Sequence, residues 1–418
     1  MFEKTTLANG LRVLTGAMPH TRSATVSVYV GAGSRYEADE EAGLSHFLEH
    51  MLFKGASRRP TAKAISEAIE SVGGIHNAAT DREATVYYAK VPDSEAFTAI
   101  DILSDMVRDP IMDAAELEKE RFVILEELAA VEDSPGELTA ILADETLWPD
   151  QPLGRNVGGT PETVQAMPLS EVNRYMKSQY VPKNMVLVVA GNVKHEQVTD
   201  AANKWLGGMP SAPATPPHPV QKRPGSARLA VRQKDTEQAN LCISFPALPL
   251  NHPDRYALDL VNALLGEGMS SRLFLELREE QALVYDVHSY VSEYRDAGAL
   301  TIFAACEPGK ARTTASACLE ETAKMLRTLT QAELNKGIRM AAGRIQLRME
   351  DTRSVAGWLG AQELLLSEVF TVDEVVEHIE SVDLDSLLRV GREILMPERA
   401  SIAAVGPFKD ADTFAGLV

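Results

Sequence analysis

The chain has 418 residues, 45% of them hydrophobic and 24% charged, and a formal net charge of −19. That length holds two or more domains with ample core, while the acidity, with no basic stripe, argues against nucleic acid as a partner. No apolar run reaches the length of a membrane span, no secretion signal is read at the N-terminus, and Cys242, Cys306 and Cys318 follow no metal-binding spacing, so a cytoplasmic protein without disulfides is expected.

Residues 5–16 read as a strand pair around the Asn9-Gly10 turn, and the alternation of Ala24–Val30 marks a further strand. Gly31, Gly33 and the charged run 37–41 form the loop that feeds the stretch Gly43–Gly55. There His46 and His50 are four apart, so a helix projects both from one face, and Glu49 stands beside them. The order His-x-x-Glu-His is the reverse of the commoner His-Glu-x-x-His. Leu44, Phe47, Leu48, Met51, Leu52 and Phe53 make this a helix of the kind that is buried, and three polar groups on it are costly to bury unpaired. A metal ion resolves that cost. Neutral imidazoles are zinc ligands, and a neighbouring carboxylate that does not bind the metal can serve as a general base. The alternative, two surface histidines and a solvated glutamate, fits poorly with the apolar neighbours.

Farther along, residues 61–72 keep a helical period and stop at Gly73-Gly74, Thr85–Val91 is a strand, and residues 93–108 are a helix. Asp113 reads as the cap of a long helix through about Glu132. Met185–Ala190 is an apolar strand ending at Gly191. Residues 209–225 contain six prolines and read as an extended linker.

The segments on the two sides of the linker repeat one another. Leu169, Pro182 and Gly191 match Leu384, Pro397 and Gly406 at one constant offset, and Leu117 matches Leu334 at nearly the same one. The expected architecture is an α+β fold of two homologous domains from an internal duplication, each a mostly antiparallel sheet covered by helices. Residues 1–208 form the zinc-binding domain, 209–225 the linker and 226–418 a metal-free copy. In that copy Asp259, Asn262 and Ala263 stand opposite His46, Glu49 and His50.

A catalytic zinc needs a third protein ligand. The long helix offers Glu120, Glu126 and Glu127; Glu120 and Glu127, seven apart, share a face, and Glu126 is rotated away. The copy has Gly337 and Arg344 opposite Glu120 and Glu127, so both carboxylates vanish together with the histidines. That joint loss ties Glu120 and Glu127 to the same site.

With these features, the chain resembles the pitrilysin/insulinase family of zinc peptidases, the inverted zincins, and is most similar to the branch holding mitochondrial processing peptidase and its bacterial relatives. The resemblance spans essentially the whole chain. It implies one Zn2+ per chain held by His46, His50 and Glu127, with Glu49 as the base that activates the attacking water and Glu120 orienting the site. It also implies that a peptide is bound as an added β-strand on the edge strand that here contains Asn77, Ala78 and Ala79. Ala79 and His76 depart from the family's usual residues; His76 is expected to shape the groove or pack. In the second half Arg278 and Tyr285, seven apart, resemble the family's pair that contacts the substrate backbone and stabilises the oxyanion, although Gln281-Ala-Leu-Val-Tyr285 stands where Arg-Gly-Leu-Ala-Tyr is usual. The function implied is a metalloendopeptidase for short or unfolded peptides, working as a homodimer whose active site is completed across subunits around an enclosed cavity. The alternative is a non-catalytic peptide-binding or scaffold subunit of the same fold, which would carry a degenerate zinc set.

Overall fold

The computed structural model describes residues 2–221 and 228–418. The described part of the expected linker, 209–221, forms neither helix nor strand, and its residues 222–225 lie outside the described residues. Two compact units are present: Met1–Leu128 with Asn156–His218 and Gln346–Thr371, and Ala129–Arg155 with Pro219–Ile345 and Val372–Val418.

The first unit is built on six strands: β1 (Phe2–Thr6), β2 (Arg12–Ala17), β3 (Ser23–Val30), β4 (Ile75–Thr80), β5 (Thr85–Pro92) and β6 (Met185–Gly191). They lie in the order β1-β2-β6-β3-β5-β4. Only β2 and β6 run parallel; the other neighbours are antiparallel. The second unit has β7 (Arg228–Gln233), β8 (Ala239–Ala247), β9 (Val284–Glu293), β10 (Gly298–Cys306) and β11 (Ser401–Gly406). Their order is β7-β11-β8-β10-β9, again with one parallel pair, β11 with β7. Strand for strand this repeats β2-β6-β3-β5-β4, parallel pair included. The molecule is therefore a duplicated α+β fold with mostly antiparallel sheets.

The apolar character of β6 at every position stems from its place in the sheet. A strand covered on both faces loses the alternation of a half-exposed one, and all seven residues of β6 are buried. On one face Leu187 and Val189 join Val26, Val28 and Val30 against helices Leu44–Leu52, Ala96–Arg108 and Leu169–Gln179. On the other, Val186, Val188 and Ala190 meet Ala356, Leu359 and Leu364 of helix Thr352–Leu365.

That last helix comes from the second half of the sequence, and the exchange is reciprocal. Helix Pro135–Leu147, from the first half, lies with β8 and β11, where Ala143 packs on Cys242 and Ala403. A cut at the linker separates the two sheets but not these two helices. Helix Thr352–Leu365 is held tightly: a Cβ added at Gly360 would stand 2.1 Å from Cε2 of Tyr29 on β3. Gly360→Ala is expected to destabilise the first unit by about 1–3 kcal/mol through overpacking, read as a lower denaturant midpoint. An unchanged midpoint would mean that the helix does not sit this close to β3.

Candidate metal centre

Helix Leu44–Leu52 buries Leu44, Ser45, Phe47, Leu48, Met51 and Leu52 and leaves His46, Glu49 and His50 toward its less buried side. Its start is fixed by two devices. Gly43 has φ 94°, and a Cβ there would meet the Gly158 carbonyl oxygen at 2.6 Å, so a glycine is required. Glu37, fully buried, then accepts from the backbone N–H of Gly43 (2.9 Å) and of Ser45 (2.6 Å). A carboxylate on the first N–H groups of a helix satisfies donors that have no helical partner and suits the positive end of its dipole.

The long helix spans Ala114–Glu132, with the Asp113 carboxylate accepting from the N–H groups of Ala115 and Glu116. It brings Glu120 and Glu127 to the histidines. Nε2 of His46 and Nε2 of His50 are 3.3 Å apart, and Oε2 of Glu127 lies 3.7 Å from the first and 3.6 Å from the second. Ligands at about 2.0–2.2 Å from a tetrahedral zinc stand about 3.3–3.6 Å from one another, so this triangle fits the ion closely. The donor chemistry fits as well. Burial, aided by the charge of His50, pushes the His46 imidazole down to about 4, so at neutral pH it is the uncharged form that ligates a metal. At His50 burial acts downward too, but the hydrogen bond to Glu120 and the charges of Glu127, Glu49 and Glu120 outweigh it and raise the pKa. Three carboxylates thus gather around one position and favour a cation there.

Glu120, 5% exposed, accepts from Nδ1 of His50 at 3.0 Å and forms an ion pair with Lys54 Nζ at 2.5 Å. Burial pushes its carboxyl up, but these contacts together outweigh burial and hold it below the usual range. It contacts His50 at Nδ1 and does not belong to the triangle. His46 has no such brace: its buried Nδ1 lacks a hydrogen-bond partner among the described residues. Glu49 also stays outside the triangle. The Thr80 hydroxyl donates to its Oε2, and burial, the larger influence, pushes its carboxyl up.

β4 is the outer strand of its sheet, paired with β5. Ile75, Asn77 and Ala79 are exposed on it, and His76, Ala78 and Thr80 are half-buried. His76 packs its ring against Phe53, with centroids 5.8 Å apart. Arg278 and Tyr285 belong to the second unit. Arg278 lies in a π-helical turn, Phe274–Glu280, and its guanidinium is 5.5 Å from the Tyr285 ring centroid and 4.9 Å from that of Phe274. Tyr285, at the start of β9, is 70% exposed. Between them Ala282 takes φ 49°, a conformation that costs a non-glycine residue about 1 kcal/mol or more. The backbone therefore keeps the left-handed shape that the usual glycine favours, although the residue has changed.

The copy of the metal helix, Arg255–Gly266, carries no comparable set among the described residues. Arg344, the counterpart of Glu127, forms an ion pair with Glu267, whose other oxygen accepts from Asn262 Nδ2 at 2.6 Å. At Gly337, the counterpart of Glu120, a Cβ would meet Leu264 at 3.0 Å. A fixed cation and a leucine occupy the ground held by carboxylates in the first unit. Among the described residues, His46, His50 and Glu127 form the one group able to hold a metal ion.

Sequence reasoning misses three contacts of this centre. Lys54 stands four positions after His50, a helical spacing that could have flagged it. Glu37 reads as one of a charged loop run, although it is buried. Thr80 is brought to Glu49 only by the sheet. No helix among the described residues is long and apolar enough to cross a membrane.

Comparison with known proteins points the same way. Residues 12–161 match the model of the insulinase family, peptidase family M16, and residues 167–340 match that of the M16 peptidase inactive domain. A Streptomyces coelicolor protein described as an uncharacterized zinc protease is 36% identical over 414 residues, covering 97% of this chain and 90% of the relative. A probable mitochondrial-processing peptidase beta subunit of Arabidopsis thaliana is 31% identical over 417 residues, covering 97% and 78%. The crystal structure of a protease from Helicobacter pylori superimposes with a TM-score of 0.91 at 25% identity, covering 97% of this chain and 99% of that one.

Proposed function

The chain belongs to the insulinase family of peptidases, family M16, and from that premise we propose that it is a zinc-dependent metalloendopeptidase acting on short or unfolded peptides. The observation that carries this reading is the tetrahedral-size triangle of His46, His50 and Glu127 with Glu49 beside it but outside it. His46, His50 and Glu127 would hold a zinc ion there, and the ion would supply Lewis acidity toward the attacking water and the scissile carbonyl. Glu49 takes the proton of that water and delivers it to the departing amine. Glu120 keeps His50 in the tautomer and orientation of a ligand through its hydrogen bond to Nδ1.

The outer edge of β4 receives the peptide as an added strand along Asn77, Ala78 and Ala79, so main-chain hydrogen bonds supply most of the binding and sequence preference is loose. Arg278 and Tyr285 hold the substrate backbone and the developing oxyanion. Because one chain carries the zinc set and this pair, a homodimer has two complete sites, each assembled from two copies around an enclosed cavity. The three cysteines are free and buried, which suits the reducing cytoplasm.

Purified protein is expected to carry one zinc per chain and to cleave a mixture of unstructured peptides. A chelator should abolish cleavage and added zinc should restore it. Protein that binds no zinc and cleaves nothing would instead be a peptide-binding or scaffold subunit.

A further inference from the structure

The hydroxyl of Thr80 donates to Oε2 of Glu49, and the hairpin that carries Thr80 is held by a series of backbone hydrogen bonds. It is the last residue of β4, in register with Thr85 of β5. The turn between those strands closes with Asp81 N–H to the Ala84 carbonyl at 2.8 Å. The same turn is sewn to the loop ahead of the metal helix by Ser34 N–H to the Asp81 carbonyl (3.3 Å) and Arg35 N–H to the Arg82 carbonyl (3.0 Å). The buried side chain of Arg35 pairs with Glu83 and donates to the His218 carbonyl at 2.8 Å. Two residues on, Glu37 caps the metal helix. The hairpin and the metal helix therefore hang from one short segment, Gly33–Glu37.

The hydrogen-bond directions are settled by chemistry. The Thr85 hydroxyl donates to the Ala32 carbonyl at 3.0 Å, an acceptor only. An ionised Glu49 is also an acceptor only, so the single proton of Thr80 goes to it. Oγ1 of Thr85 lies 3.4 Å from Oγ1 of Thr80, so the paired strand also contacts this hydroxyl. A carboxylate on a side chain with several rotatable bonds is thus tied at one oxygen, Oε2.

We infer that Thr80 is the positioning residue for Glu49, and that the strand receiving the peptide thereby also sets where the base stands. The inference rests on the reading of Glu49 as the base. Its consequence is that peptide registry and base placement share one rigid element, β4, so docking on that edge brings the scissile bond to a base already aimed.

Thr80→Val keeps the size and β-branching and removes the hydroxyl; Thr80→Ser keeps the hydroxyl. With a fluorogenic unstructured peptide, T80V should lose about 10- to 100-fold in kcat, the range for a lost hydrogen bond to a charged group, with KM little changed, and T80S should recover most of it. Zinc affinity, measured by chelator competition, should stay within about threefold for both, unlike the loss of about 10–100-fold when a partner of a ligand is removed. Crystal structures should show the Glu49 side chain in a new rotamer in T80V and in its original one in T80S. Unchanged kcat in T80V, equal loss in T80S, or the same Glu49 rotamer in all three proteins would overturn the inference. If the wild type cleaves no peptide, the peptidase reading fails by itself, and the Glu49 rotamer in T80V still decides the role of Thr80.

Discussion

Glu49→Gln is expected to leave zinc at one per chain and to reduce peptide turnover by about 10²–10⁴-fold, the contribution of a positioned general base. Glutamine has the size and shape of glutamate, and its carbonyl can accept the Thr80 hydrogen bond that the carboxylate now accepts. The triangle of His46, His50 and Glu127 is untouched, because Glu49 does not belong to it. What is lost is the ability to take a proton. The contrast is with His50→Ala, which removes a corner of the triangle and should cost the metal itself. Metal analysis together with kcat on the same preparation separates the two. Turnover that survives in E49Q would sink the assignment of Glu49, and loss of zinc in E49Q would mean that the residue is a ligand.

Much of the centre was readable because it is written in local periods. A spacing of four between His46 and His50 puts them on one helical face, and a spacing of seven between Glu120 and Glu127 does the same on the long helix. The repeat added what one helix could not, since both pairs are missing from the second copy. The contacts that hold the site in place are of another kind. Thr80 reaches Glu49 only because β4 pairs with β5 at the sheet edge, and Glu37 caps a helix whose first N–H groups lie six and eight positions later. Neither has a periodic signature. The exchanged helices were opaque for a similar reason. Pro135–Leu147 and Thr352–Leu365 are recognisable as helices, but an apolar stripe does not say which of two similar sheets will cover it. Duplicated sheets offer nearly equivalent faces, and Gly360 against Tyr29 selects between them only in three dimensions.

Mixing two disabled chains should restore activity if the sites are assembled between copies. One chain carries Glu49→Gln and keeps Arg278 and Tyr285; the other carries Arg278→Ala and keeps the zinc set with its base. Each homodimer has two damaged sites, the first without a base and the second without a donor to the oxyanion, a loss of about 10²–10³-fold for groups of that type. A mixed dimer distributes the lesions unequally. One of its sites takes both, and the other pairs an intact zinc half with an intact Arg278–Tyr285 pair. Random assortment makes half of the dimers mixed with one good site each, so a co-refolded equimolar mixture should reach about one quarter of wild-type turnover, as two-fold symmetry requires. Native mass spectrometry of the same mixture resolves the E49Q and R278A homodimers from the mixed dimer, and a ratio of about 1:1:2 by the same counting is the control that shows complete exchange. If exchange is complete by that control and the doubly disabled mixture stays at the level of its parents, both halves of each site belong to one chain and the dimeric assembly is wrong.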